Sequence, residues 1–568
     1  MNGWREIEAI PERKRILFLG DSITENGTYI RDLEAFFLKY LPECEIEWIG
    51  LGVSSETAAG TQEKSHPFPR PCLHERLDRA LSESRPDWAF LCYGMNDGVY
   101  RPLSAEHFEA YRSGIDRAVG AIEAAGALPI LLTPPPFDAV SANGRLQPDG
   151  APDYSFEEPY ERYDEVLRHY AEWLLLYGRG RGIKTVDIRR PLLDFIEGER
   201  KRNPGFRCGD GVHPEAAGHA VIAHTILRKV FRLEWEKMPE WLHANGEFLR
   251  RVTERRELLK AAWREHVGHT NPFKLEALPL EEALAQAEER LPAIREAARR
   301  EGGTFDERRS DWNGFVRRDY VLQGRSCLVV EPERAAAGRP WIWRTEFFGA
   351  FANADLELVR RGWHVAYMKL SDLYGSSFAA ESMERFRADT AERFGLDPKP
   401  VLLGFSRGGL YAVRYAGMYP EHVRALYLDA PVVDIASWPG GFGRGHGSPE
   451  EWMDCLDVYG TRVGGPEAGT GTRTFAFGER ERQESERVTE GLLERLEIPA
   501  KAGIPILLIA GAADDAVPFE ENGSRLRQRY LEAGGRIDSI VKPDCGHHPH
   551  GLDDPEPILN FINSSWID

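Results

Sequence analysis

Short apolar runs alternate with amphipathic helical patterns in two separate blocks of this chain, roughly 14–230 and 305–568, and the stretch between them lacks that alternation. Alternation of this kind builds parallel sheets covered by helices, because each apolar run suits a buried strand and each intervening pattern a crossover. At 568 residues the chain also exceeds what a single hydrophobic core supports, so two α/β domains are expected.

In the first block, 1–231, the predicted strands are 15–19, 46–51, 88–92, 128–133 and 184–187. Helices are predicted over 29–40, 107–125 and 160–177, with a closing helix over 214–231. Residues 232–304 read as a helical connector: charge density rises, β-branched residues thin out, and 247–266 and 280–300 have helical periodicity. The plain reading is a spacer; the sharper one has Trp263, His266 and His269 reaching into an active site. The second block, 305–568, opens with two antiparallel strands, 314–321 and 326–331. Further strands follow at 341–343, 364–369, 400–404, 425–429, 504–511 and 537–542, eight in all. Residues 434–497 interrupt the pattern with Gly-rich and polar helical sequence and are a candidate lid.

Composition narrows the function classes. No run approaches the ~18 apolar residues of a membrane span, and the N-terminus leads into the first strand without an apolar leader core, so a cytoplasmic protein is expected. Seven scattered cysteines without C-x-x-C spacing suggest neither a disulfide framework nor a zinc ribbon, which fits a reducing compartment. A formal charge of −19 disfavours nucleic acid and anionic membrane as partners, since both are bound by neutralising phosphates with Lys and Arg.

Two sets of residues carry chemistry. Gly20-Asp21-Ser22 follows the first strand and opens a helix, which places Ser22 at the carboxyl edge of the sheet, where open α/β folds bind ligands. Gly94-Met95-Asn96-Asp97 brings an amide to the same edge, and Asp210 and His213 lie in one loop stiffened by Pro214. A serine hydroxyl needs a base, the base an orienting carboxylate, and the tetrahedral intermediate hydrogen-bond donors, and all three parts are present. In the second block, Gly404-Phe405-Ser406-Arg407-Gly408 lies between a strand and a helix, the context that makes G-x-S-x-G a nucleophile elbow. Asp514 follows a later strand within Asp514-Asp515-Ala516-Val517-Pro518, and Gly546-His547 follows the last.

The first set resembles the SGNH (GDSL-type) hydrolases over about 215 residues, and the second resembles the α/β-hydrolases over roughly 310–568. The resemblance implies α/β folds throughout: a flavodoxin-type parallel sheet with helices on both faces, the helical connector, and an α/β-hydrolase fold with an eight-stranded, mostly parallel sheet. It implies Ser22 as nucleophile, His213 as base and Asp210 as its partner, with an oxyanion hole of Ser22, Ser55 and Asn96. Ser55 stands where the family usually has glycine; it can serve if its φ is negative, whereas a positive φ compromises the hole. Gly52 is the fallback.

In the second domain the resemblance implies Ser406, His547 and Asp514, with Arg407 and Arg344 as oxyanion donors; Asp429 and Asp515 are the competing acids. His547, His548 and His550, interrupted by Pro549, have no recognised metal spacing, so no metal and no organic cofactor is expected. Trp438, Trp341 and Trp343 are read as packing or as faces for a sugar, and Arg344, Arg407 and Arg444 as substrate clamps or ion-pair partners. The expected activity is two-site carboxylic ester hydrolysis, removing small acyl groups such as acetyl from imported plant oligosaccharides. The alternatives are a peptidase or amidase in the second domain, or one domain reduced to a recognition module. The expected partner is a small-molecule or oligosaccharide ester.

Overall fold

A sheet whose strands are buried on both faces needs nearly unbroken apolar sequence, and Ile16-Leu17-Phe18-Leu19, all at 0% exposure, supply it at the centre of the first domain. The computed structural model of the protein describes residues 13–142, 145–233, 246–301, 307–459 and 479–567. These form two compact units, one of residues 13–233 with 246–301 and one of residues 307–567.

Among its described residues the first unit holds five parallel strands, β1 (Arg13–Gly20), β2 (Glu45–Gly52), β3 (Trp88–Cys92), β4 (Leu128–Leu132) and β5 (Lys184–Val186), in the order β2-β1-β3-β4-β5. This is the flavodoxin-like order, with its switch point between β1 and β3. Phe18 on β1 sits level with Phe90 on β3, and their rings stack at 4.6 Å. The helices are α1 (Ser22–Asn26), α2 (Thr28–Tyr40), α3 (Leu77–Ser84), α4 (Ala105–Ala124), α5 (Tyr163–Arg181), α6 (Arg189–Arg202) and α7 (Ala216–Lys229).

Two long helices, α8 (Glu247–Val267) and α9 (Leu280–Arg300), occupy the stretch expected to be a connector, and both pack onto the first unit. Leu259, Trp263, Val267 and Ala287 enter its core. The charges that make the segment look solvated are spent inward: Arg255 and Arg256 both engage the buried Glu34, and Arg256 Nη1 donates to the Trp48 carbonyl at 2.5 Å.

Among its described residues the second unit carries nine strands rather than eight. They are β6 (Arg308–Trp312), β7 (Phe315–Leu322), β8 (Arg325–Glu331), β9 (Trp341–Arg344), β10 (His364–Met368), β11 (Val401–Phe405), β12 (Ala425–Asp429), β13 (Ile506–Gly511) and β14 (Ile537–Lys542). Their order is β14-β13-β12-β11-β9-β10-β8-β7-β6. Pairing is parallel from β14 to β10 and antiparallel from β10 through β8 and β7 to β6. The additional strand, β6, pairs in a hairpin with β7, and its largely exposed sequence Arg-Arg-Ser-Asp-Trp has no apolar alternation.

Separate apolar clusters fill the two faces of this sheet. Its helices are α10 (Asn353–Arg360), α11 (Ser377–Phe394), α12 (Gly408–Met418), α13 (Pro449–Val458), α14 (Glu479–Glu494), α15 (Glu497–Lys501), α16 (Gly523–Glu532) and α17 (Glu556–Ile567). Of the expected lid, α13 and α14 are described, whereas 460–478 lie outside the described residues. No helix among the described residues is long and apolar enough to cross a membrane.

Candidate active sites

In the first unit Ser22 is the first residue of α1, and the Asp21 carboxylate caps that helix by accepting from Ile23 N at 3.0 Å. Ser22 Oγ lies 2.7 Å from His213 Nε2, and His213 Nδ1 lies 2.9 Å from Asp210 Oδ2. The other Asp210 oxygen accepts the backbone N–H groups of Val212 and His213, which ties acid and base into one rigid loop. Burial works against the charged forms of both partners. The bonds and charge of His213 outweigh it and hold Asp210 well below the usual carboxylate range, and the Asp210 bond and charge raise His213 above its ordinary value.

Ser55 adopts φ +64°, the left-handed region that the sequence argument identified as the damaging case. The conformation costs an L-residue roughly 1–2 kcal/mol, and its surroundings hold it in place. Ser55 Oγ bonds His66 Nε2 at 3.1 Å and its carbonyl accepts from Arg70 Nη1 at 3.2 Å. One residue earlier, Ser54 N donates to Glu25 Oε2, Arg264 of α8 clamps the same Glu25, and Asn271 Nδ2 bonds the Ser54 carbonyl at 2.9 Å.

Serine therefore keeps the turn at the cost of strain, with its N–H unclaimed among the described residues. The Ser22 N–H is likewise unclaimed, and Asn96 spends one amide hydrogen on the Glu56 carbonyl at 3.1 Å. Gly52 has a different task from a fallback donor. A Cβ there would collide with the backbone of Thr24 and Glu25, so only glycine lets β2 end against α1.

The segment expected to be a spacer thus does touch this site, through Arg264 and Asn271. Trp263 is buried in the core, while His266 and His269 pair with Glu83 and Glu265. No periodicity marks Arg264 or Asn271; only their tertiary partners do.

In the second unit Ser406 follows β11 at φ +47°, the strained turn of a nucleophile elbow. Its Oγ lies 2.9 Å from His547 Nε2, and His547 Nδ1 lies 2.8 Å from Asp514 Oδ2. Asp514 Oδ1 accepts the N–H groups of Ala516 and Val517. Of the competing acids, Asp515 is exposed, and Asp429 at the end of β12 is buried and bonds His550 Nδ1 at 2.8 Å.

Arg407 N–H is unclaimed among the described residues, as expected of an oxyanion donor. Arg344 is a correction. It ends β9, paired with Tyr367 and Leu403, and its fully buried guanidinium is fixed on Asp355 and stacked 4.0 Å from the Phe405 ring centre. Three residues on, Phe347 sits at φ +53° with an N–H unclaimed among the described residues.

Trp341 and Trp343 are buried and stacked in the core, and Trp438 is half-buried against it. Arg407 pairs with Glu451 at 2.7 Å, whereas Arg444 is exposed. The rings of His547, His548 and His550 converge despite their spacing, with centroids 4.8–5.0 Å apart.

Two family models match the two units: the GDSL-like lipase/acylhydrolase family over residues 18–221 and the alpha/beta hydrolase family over 335–561. An acetylxylan esterase of Geobacillus stearothermophilus is 22% identical over 237 residues, covering 39% of this chain and 95% of that protein. Solved structures similar to parts of the chain include acetyl xylan esterase 1 from Thermoanaerobacterium sp. JW/SL YS485. It is 15% identical with a TM-score of 0.33, over 46% of this chain and 88% of that one. Another is BT4096, a gut microbial diltiazem-metabolizing enzyme, at 16% identity and a TM-score of 0.32 over 59% of this chain; the match spans 60% of that enzyme's length. The polypeptide thus joins a GDSL-like lipase/acylhydrolase domain to an alpha/beta hydrolase domain and is a carboxylic ester hydrolase.

Proposed function

We propose that both sites hydrolyse esters through an acyl-enzyme, and that the substrate is a carbohydrate carrying acetyl or other small acyl groups. The observation that carries the two-site reading is that each serine, histidine and aspartate is joined by bonds of 2.7–2.9 Å on its own sheet edge. In each site the histidine takes the serine proton as the hydroxyl attacks the ester carbonyl, then passes it to the departing alcohol. The same histidine next activates water to release the acid. The oxyanion is received by the N–H groups of Ser22 and Ser55 with the Asn96 amide in one site, and by the N–H groups of Arg407 and Phe347 in the other.

The sugar ester rests on the acetylxylan esterase relative. Action on imported oligosaccharides in the cytoplasm is part of the same proposal, supported by seven cysteines that are all free thiols.

The test is hydrolysis of p-nitrophenyl acetate and butyrate, then of acetylated xylo-oligosaccharides, by the wild type, Ser22→Ala, Ser406→Ala and the double variant. Each single variant is expected to lose a distinct part of the activity and the double variant all of it. Undiminished release by the double variant would end the proposal. Loss of aminoacyl anilide cleavage with Ser406→Ala would instead make the second site an amidase.

A further inference from the structure

We propose that His547, His548 and His550 form a binding site for a borderline transition-metal cation such as Zn²⁺, and that the bound ion silences Ser406 while leaving Ser22 untouched. One ring nitrogen from each of the three lies within 4.8 Å of the other two. Their rings stand at interplanar angles of 62°, 81° and 89°, so they surround a point rather than stack. Neutral imidazole is a preferred ligand for Zn²⁺ at about 2.0–2.1 Å, which sets nitrogens of a tetrahedral site about 3.3 Å apart. His548 is exposed, so its ring can swing to close the remaining gap.

Two of the three are already oriented in the way metal-binding histidines are. A histidine ligand usually donates its other ring N–H to a carboxylate, which fixes the tautomer and makes the free nitrogen more basic. His547 Nδ1 is 2.8 Å from Asp514 and His550 Nδ1 is 2.8 Å from Asp429. Each therefore keeps Nε2 as the nitrogen with a lone pair to give. The Asp429–His550 pair is buried, lies outside the Ser406 triad and has no other task in the mechanism above.

Inhibition follows from shared use of one atom. His547 Nε2 accepts from Ser406 Oγ at 2.9 Å, and a metal on that nitrogen leaves the serine without its base. Water or Ser406 Oγ would complete the fourth position. Among the described residues no comparable histidine cluster occurs in the first unit, so the two sites would respond differently to the same ion.

The test uses the full chain, stripped with chelator and titrated with Co²⁺ and Zn²⁺, following tetrahedral Co²⁺ absorption and heat of binding. In parallel, labelling of Ser22 and Ser406 by a fluorophosphonate probe is quantified peptide by peptide, each variant against its own metal-free rate. The proposal expects one tight site whose affinity falls about 10-fold or more in His548→Ala and in His548→Gln. Asp429→Asn should weaken it about 10–100-fold, as loss of a supporting carboxylate does. Labelling of Ser406 should fall as the ion binds, and that of Ser22 should hold. Absence of a tetrahedral Co²⁺ spectrum, affinity indifferent to both His548 variants, or equal loss of labelling at the two serines would each overturn it.

Discussion

The two Ser-His-Asp groupings hold the same residue types and are built in opposite ways. His213 and Asp210 come from one loop, three residues apart, with side chains 43% and 41% exposed. His547 and Asp514 come from loops after different strands, at 14% and 1% exposure. A local pair is set by its own backbone, since Asp210 accepts the His213 N–H as well as the ring, and it tolerates water. The long-range pair depends on the sheet to bring its loops together, and it works in a drier setting where an unpartnered group is costly. Gly511 shows that dependence: a Cβ there would strike the carbonyls of Cys545 and Gly546, so the strand end can approach the His547 loop only as glycine.

The comparison breaks first at the acids. Asp514→Asn should lower Ser406-dependent kcat by about 10⁴-fold, the size seen when a buried triad aspartate becomes an amide that favours the wrong histidine tautomer. Asp210→Asn should cost about 10²-fold, because water can reach the more exposed His213 ring and stand in for the lost partner. Stopped-flow hydrolysis in the Ser22→Ala and Ser406→Ala backgrounds separates the two, and equal losses would show that exposure does not set the difference.

The oxyanion turns give the next contrast. Ser55→Val places a β-branched residue at φ +64°, where it is a severe outlier. The turn should flip and cost about 10²-fold in kcat, the loss that follows removal of one donor. Ser55→Gly relieves the strain but gives up the His66 bond, two effects of about 1 kcal/mol each, so activity should stay within about threefold. Steady-state kinetics with Ser406→Ala as the parent decides this.

The strands were legible because burial on both faces demands continuous apolar sequence, as in Leu17-Phe18-Leu19 and Leu402-Leu403. β6 was not, because an exposed edge hairpin places no demand on Arg308 to Asp311. Ser22 and Ser406 could be read because each opens a turn directly after a strand; Asp514 and His547 follow strand ends, whereas Asp210 and His213, in the loop between α6 and α7, could be read only as a local pair. Arg264 and Asn271 could not, since a charge on a helix reads as solvated until its partner is known. Arg344 falls on a paired strand end because the sequence does not show where β9 stops pairing; Phe347 stands just beyond that point. Ser55 posed a question about φ that only backbone geometry answers.

Smaller effects come from pH. With Ser406→Ala as the parent, Ser22-dependent kcat/KM should fall as pH drops through the His213 pKa, at a midpoint above the ordinary 6.5, because catalysis needs the neutral ring. Stability runs the other way at this residue: a raised folded pKa stabilises the fold below the unfolded value, and that contribution is lost as pH rises through the folded one.

Asp21 makes the smallest and most specific prediction. Burial pushes its carboxyl up to about 6, and its negative charge is one of the influences that raise His213. Asn caps a helix as well as Asp does, so Asp21→Asn keeps α1 and removes only the charge. The acid limb should then move downward, by less than the Asp210 contribution, since Asp210 ranks above Asp21 among the causes of the His213 shift. Because the fold favours the neutral acid, wild-type Asp21 lowers stability as pH rises from about 4 to about 6, and the variant's melting temperature should lose that decline. A pH series of melting curves and rates on the two proteins reads both effects. An unmoved limb with a flattened stability profile would mean that the Asp21 charge does not reach His213.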